Sequence, residues 1–371
     1  MNDVMELPLG DPLSTSTAGI GVIDCDIHPA LRSARDLLPF LSERWKAHLV
    51  NYGSHVRQPL LFTTPYPRSA PSLARRDAWP PGGGPPGSDL VFMREQHLDP
   101  LDVRFGILQV LDLGVFAQQN LEFGAAAATA INDWQVEIWA RPEPRLKGSI
   151  VVTQENPPAA VAEIERRATD PHFVQVNVSP RGTEPLGRRR YWPIYEAAVA
   201  AGLPIGVHVG GYGGHAPTAS GYPSFYTEEH HSNAHTMQAQ LTSLIIEGVP
   251  ERFPTLKFIF IEGGFGWVPA MAWRLDKHWP HFRDEVPHVR RPPSEYVKEH
   301  FWFTTQPIEE PNRPRDLRAV MDWIGWDRIL FSSDYPHWDF DDPRTAIKCP
   351  MSDAERAAVF RGNARALYGL S

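Results

Sequence analysis

Cysteine is scarce in this chain: Cys25 and Cys349 are the only two in 371 residues. A secreted protein of this length usually carries more, so the count excludes a disulfide framework and points to a reducing, cytoplasmic setting. Cys25 lies between two acidic residues in a strand-like run and reads as a small strand residue, not a reactive thiol. Long apolar runs are missing too. No stretch of 18 apolar residues occurs, which excludes an apolar membrane-spanning helix. Positive charge is in deficit, with a net charge of −8. An acidic balance argues against a nucleic-acid partner, because phosphate binding needs a basic face. The start, MNDVMELPLGDPLSTSTAG, has no basic residues followed by an apolar run. Residues 1–18 are therefore expected to be a flexible leader and not a signal peptide, ahead of a single domain over 19–371.

What is present belongs to a folded, loop-rich protein. Apolar residues make up 42% of the chain and charged residues 22%, enough for a large core and too few charges for disorder. The 37 prolines and 28 glycines are unevenly spread. Residues 58–88, QPLLFTTPYPRSAPSLARRDAWPPGGGPPGS, cannot be helix or strand throughout and read as a long insertion loop, either a lid or substrate wall or a disordered segment.

Elsewhere, short apolar runs rich in β-branched residues read as buried strands. There are eight: Gly21–Ile27, Phe105–Leu111, Lys147–Val152, Phe173–Val178, Pro204–Val209, Lys257–Glu262, Phe301–Thr304 and Arg328–Ser333. Helical patterns separate most of them, at Asn120–Ala140, Pro158–Ala168, Tyr191–Ala201, Ala234–Glu247, Pro269–His278 and Arg315–Ile324. A closing helix over Asp353–Leu367 is capped by Ser352 or Asp353. Eight strands alternating with helices predict an α/β fold, a (β/α)8 barrel of the TIM type, with the insertion loop following strand one.

In such a barrel the chemistry sits at the C-terminal ends of the strands. Asp26 and His28 fall at the end of strand one, His208 at the end of strand five, and Asp334 directly after strand eight. Side chains two apart on a strand point the same way, so Asp26 and His28 are expected to face the axis together. Asp24 shares that parity and is expected deeper in the lumen, where a buried carboxylate needs a partner. A lone histidine in an apolar strand is more often a hydrogen-bonded core residue. Three positions falling together at strand ends point instead to a metal site. Two imidazoles and two carboxylates suit zinc or manganese.

Four segments carry a family resemblance over most of the chain: IDCDIH near the start, GVHVGG around His208, GVPERFPTLKFIFIEGGFGWVPAMAWRLD from Gly248 to Asp276, and ILFSSDYPHWD from Ile329 to Asp339. They resemble the amidohydrolase superfamily, in its branch related to aminocarboxymuconate-semialdehyde decarboxylase. The resemblance implies one divalent metal on Asp26, His28, His208 and Asp334, with Asp334 doubling as a proton donor or acceptor. It implies a small-molecule substrate, mostly an aromatic acid, ring-cleavage product or lactone. Members are non-oxidative decarboxylases or hydrolases, and decarboxylation is the reading favoured here. The alternatives are a hydrolase of an amide, lactone or C–C bond using metal-activated water, and a non-catalytic ligand-binding barrel.

Departures from the family pattern matter. Ala30 stands where a second motif histidine often lies, and no lysine closes strand four in VQVNVSP, so a carboxylated lysine bridging two metals is not expected. Glu262 stands at the end of strand six, where a catalytic histidine is common, and is expected in the active site as a base or hydrogen-bonding group or in an inert network. His235 is a further catalytic candidate, and is equally well read as a surface or packing histidine. The pair His230/His231 is expected to be solvated loop. Arg94, Tyr212, His337 and Trp338 are candidate substrate contacts. Arg104, Tyr222 and Trp267 have weaker positional claims. A homodimer is expected, because such barrels are often oligomeric and the Trp-rich C-terminal half offers apolar surface.

Overall fold

The computed structural model describes residues 21–54, 71–209 and 216–371. The expected leader 1–18, the part of the insertion loop before residue 71, and Tyr212 lie outside the described residues.

Eight strands form one parallel sheet in sequence order. They are β1 (Val22–Ile27), β2 (Val103–Leu108), β3 (Leu146–Val151), β4 (Phe173–Val178), β5 (Ile205–His208), β6 (Phe258–Ile261), β7 (Phe301–Thr304) and β8 (Ile329–Leu330). The strands are short and mostly apolar, and apart from Arg104, Phe105 and Lys147 near the starts of β2 and β3 they are buried on both faces, as parallel strands covered by helices must be. β8 is shorter than Arg328–Ser333 because its continuation turns toward β1 and closes the barrel there. Cys25 N–H donates to Phe331 O at 3.0 Å, Asp334 N–H to Asp26 O at 3.1 Å, and His28 N–H to Tyr335 O at 2.7 Å.

β1 is not a regular strand. Asp24 aligns with Gly106, but Ile27 aligns with Leu108, so β1 spends three steps where β2 spends two. This bulge reverses the side-chain parity. Ile23 and Cys25 join an apolar cluster with Ile107, Ile259, Ile261 and Leu330 from β2, β6 and β8. Ile27 packs outward, so close to Gly106 that a Cβ there would collide with its side chain. Asp26 and His28 still face the axis as expected. Asp24, expected deeper in the lumen, is turned outward instead.

Above the apolar cluster lies a polar layer. Gln109 Nε2 donates to Cys25 O at 3.3 Å, Asn177 Nδ2 to Gln109 Oε1 at 2.9 Å, and Gln175 Nε2 to Ser149 Oγ at 2.8 Å. The opposite end is sealed by the C-terminal helical segment, whose Ala364, Leu367 and Leu370 join the apolar cluster and whose Tyr368 hydroxyl donates to Gln175 Oε1 at 3.0 Å.

The helix expected at Ala234–Glu247 runs from Tyr226 to Ile246, eight residues longer at its start. Its first two turns, YTEEHHSN, have no apolar periodicity because that end stands over the polar barrel mouth rather than the core. The described part of the 58–88 stretch is pinned to the same mouth. Arg75 N–H donates to Pro336 O at 3.0 Å, Trp338 N–H to Leu73 O at 2.7 Å, and Ala30 N–H to Gly87 O at 2.9 Å. Gly87 is required where it is: φ is +78°, and a Cβ would strike the carbonyl oxygen of His28. Among the described residues no helix is long and apolar enough to cross a membrane.

Candidate metal centre

His28 and His208 are set by their backbones. His28 Nδ1 lies 2.9 Å from Gln109 O, and His208 Nδ1 contacts Val209 O. A carbonyl oxygen only accepts, so each Nδ1 carries the hydrogen, and the neutral form of each ring offers its Nε2 lone pair. His28 Nε2 has no hydrogen-bond partner, yet it stands 3.1 Å from Asp26 Oδ1 and 2.9 Å from Asp334 Oδ1. His208 Nε2 lies 3.3 Å from the same Asp26 oxygen and 3.6 Å from Glu262 Oε2. Asp26 Oδ2 is buried without a partner. Lone pairs facing carboxylates in a buried site repel one another unless a cation or a proton lies between them.

Ligand atoms of Asp26, His28, His208 and Glu262 all lie within 4.8 Å of one another. A second group, His28, Asp334 and His337, meets the same spacing, and so does a third, His230, Glu262 and Asp339. A nitrogen–oxygen donor set with orphaned buried atoms fits a divalent ion such as manganese or zinc. Glu262 and Asp334 are both held at left-handed φ, +61° and +62°. For Glu262 this costs about 1–2 kcal/mol, a strain that clusters at functional sites, while aspartate adopts it more readily.

The electrostatics follow from crowding. Burial, then the charges of Asp334 and Asp26, push the Glu262 carboxyl well up. Burial, then Asp339 and Asp26, do the same to Asp334. For Asp26, burial pulls upward, but the His28 and His208 rings win and hold it low. Burial and the neighbouring His28 drive His337 down to about 3. Its Nδ1 therefore approaches Asp334 Oδ1, at 2.6 Å, as a neutral ring. Burial, then Asp339 and Glu310, lift Asp341 to about 7.

Several expected site residues come together here: Asp26, His28, His208, Glu262, Asp334 and His337. Trp338 is 45% exposed and forms an outer wall, its Nε1 donating to the Tyr226 hydroxyl at 2.9 Å. Arg94 does not join them. Its Nε binds Glu143 Oε2 at 2.7 Å and its Nη2 binds Pro142 O at 2.6 Å, just before β3 and thus at the barrel end away from the mouth. His235 does not join them either. It is exposed, with its ring against His231. Five residues along the helix turn it about 140° around the axis from His230, away from the face that meets the mouth. Arg104 pairs with Asp102 at the start of β2, Trp267 packs edge-on against Phe303, and Tyr222 is exposed.

Four residues were not foreseen. His230, expected as solvated loop, lies 3.1 Å from Asp339 Oδ2. Gln306 Nε2 donates to Asp334 Oδ2 at 3.2 Å. Tyr226 stands beside His230 and Trp338. Asp339 ends the ILFSSDYPHWD run and was the one with a signal, five residues past Asp334. The others lie in unpatterned polar sequence.

Comparison with known proteins agrees with this geometry. The amidohydrolase family profile matches residues 23–370. A gamma-resorcylate decarboxylase of Polaromonas sp. strain JS666 is 27% identical over 314 residues, 77% of this chain and 92% of that protein. A dihydroxybenzoic acid decarboxylase from the same strain, solved with manganese and the inhibitor 2-nitroresorcinol, has a TM-score of 0.65 at 21% identity, covering 94% of this chain and 97% of its own. A manganese-bound 5-carboxyvanillate decarboxylase of Novosphingobium aromaticivorans has a TM-score of 0.71 at 18% identity, covering 97% of this chain and all of its own.

Proposed function

The chain belongs to the amidohydrolase family, and from that membership we propose that it is a mononuclear metal-dependent decarboxylase of a small carboxylate-bearing substrate, aromatic or derived from ring cleavage. The observation that carries the reading is the pair of imidazoles with Nδ1–H engaged by backbone carbonyls and Nε2 turned toward Asp26. That arrangement suits manganese, which two of the similar solved decarboxylases contain.

Asp26, His28 and His208 would hold the ion, with the Asp334 and Glu262 carboxylates beside them. When bound, a divalent ion supplies positive charge that receives the substrate carboxylate and an adjacent oxygen. Asp334 is the proton donor in this reading. Burial, then Asp339 and Asp26, raise its carboxyl and so favour its protonated form, and Gln306 and His337 fix its two oxygens. The proton goes to the ring carbon, the bond to the carboxyl carbon breaks, and CO2 leaves. Tyr226 and Trp338 wall the opening, where an aromatic ring can stack.

The test is metal analysis of the purified protein followed by assay of the native metal form on a panel of small aromatic acids. CO2 release without incorporation of water oxygen is expected. Label from 18O water in the product replaces the decarboxylase with the hydrolase. A protein that purifies without a divalent ion and regains none from zinc or manganese removes the reading altogether.

A further inference from the structure

The bulge in β1 puts a carboxylate behind the site instead of in it. Asp24 is fully buried on the side of β1 away from the lumen. Its Oδ1 accepts from the backbone N–H of Asp26 at 3.2 Å and from the backbone N–H of Ser333 at 2.9 Å. Its Oδ2 accepts from the Ser333 hydroxyl at 2.5 Å and meets His97 Nε2 at 2.8 Å. One oxygen thus joins a ligand-bearing position on β1 to the residue that precedes Asp334 after β8. The His97 ring that backs this carboxylate stacks on Tyr335 at 4.6 Å, and Tyr335 follows Asp334.

We propose that Asp24 is a positioning residue: a staple across the seam between β1 and β8 that sets the separation of the Asp26 and Asp334 carboxylates, and through it the affinity and symmetry of the metal site. The proposal rests on the reading that these two residues flank the ion. Three features tie the staple to the site and not to the fold at large. The seam is where the short β8 leaves only single rungs to β1. Asp334 sits at φ +62°, in the left-handed region, so its direction is set by the turn that Ser333 enters. Both N–H groups gathered by Oδ1 belong to the two ligand-bearing segments, so a slip of either strand changes the Asp26–Asp334 distance directly.

Asp24→Asn is nearly isosteric. It keeps an acceptor for the two N–H groups but turns the Oδ2 acceptor into a donor that faces the Ser333 hydroxyl and His97. Ser333→Ala removes the hydroxyl bond alone. Manganese is titrated into the metal-stripped full chain, with the dissociation constant measured by equilibrium dialysis and the bound ion observed by electron paramagnetic resonance. Partners one layer behind metal ligands typically change affinity about 10- to 100-fold. Asp24→Asn is expected to weaken manganese binding by about tenfold or more and to alter the fine structure of the spectrum. Ser333→Ala changes both in the same direction, by less. Glu143→Gln, at the other end of the barrel, destabilises the fold and leaves both readouts at wild-type values. The proposal is overturned if folded Asp24→Asn and Ser333→Ala bind manganese within about twofold of wild type with an unchanged spectrum. Should Asp24→Asn not fold, Ser333→Ala decides alone on the same criterion. A wild type that binds no manganese defeats the metal reading itself, an outcome distinct from both.

Discussion

Two buried carboxylates at opposite ends of this barrel meet opposite surroundings. Glu143, just before β3, is gripped by Arg145 and Arg94, with Arg145 Nη2 and Arg94 Nε at 2.9 and 2.7 Å. Hydrogen bonds from Arg145, then Arg94, overcome burial and bring its carboxyl down to about 2. Asp334, at the mouth, has His28, His337 and Gln306 around it, and the charges nearest it, Asp339 and Asp26, are negative. One end is electrostatically complete; the other becomes so when a cation arrives. A carboxylate matched by guanidinium groups serves the fold, and one left among carboxylates and imidazoles is available for chemistry.

Removing a metal ligand is the strongest way to break this contrast. His208→Ala or Asp26→Ala is expected to lose the bound ion and to lower decarboxylation by about 10³-fold or more, read as metal content and CO2 release. Next comes Asp334→Asn. Loss of a positioned proton donor lowers kcat by about 10²- to 10⁴-fold; a variant that keeps wild-type turnover would assign the proton to another group.

Stability separates the two ends further. Manganese at 100 times its dissociation constant should add about 2.7 kcal/mol to unfolding free energy, in wild type and in Glu143→Gln alike. An addition that vanishes in Glu143→Gln contradicts the independence of the two ends. Glu143 itself controls the acid limb. Its folded value of about 2 lies below the ordinary 4.5, so its stabilisation is full above that ordinary value. It is lost as pH falls through about 2. Because the two arginines are partly exposed, the contribution is about 2 kcal/mol. Denaturant melts of Glu143→Gln between pH 6 and 2 should show a flatter acid limb than wild type. The smallest effect is expected from His235→Ala. As an exposed helix residue it should leave kcat, KM and stability within about 0.5 kcal/mol of wild type, and a large loss of activity there would redraw the mouth.

Much of this was legible from residues alone. Eight apolar, β-branched runs determine eight buried strands, and polar residues at the ends of strands one, five and eight determine a site at one mouth of the barrel. Those signals are local: burial and strand period are written into each run. Tertiary structure decided what local patterns do not encode. The bulge that pairs Asp24 with Gly106 and Ile27 with Leu108 depends on the register between two strands about 80 residues apart, and it alone turned Asp24 outward. Arg94 was near β2 in sequence, but an arginine's use is set by which carboxylate it meets, and it met Glu143. His230 and His235 share one polar helix start with no apolar stripe to orient it. Packing against the β8 loop decided that His230 faces Asp339 and His235 faces solvent.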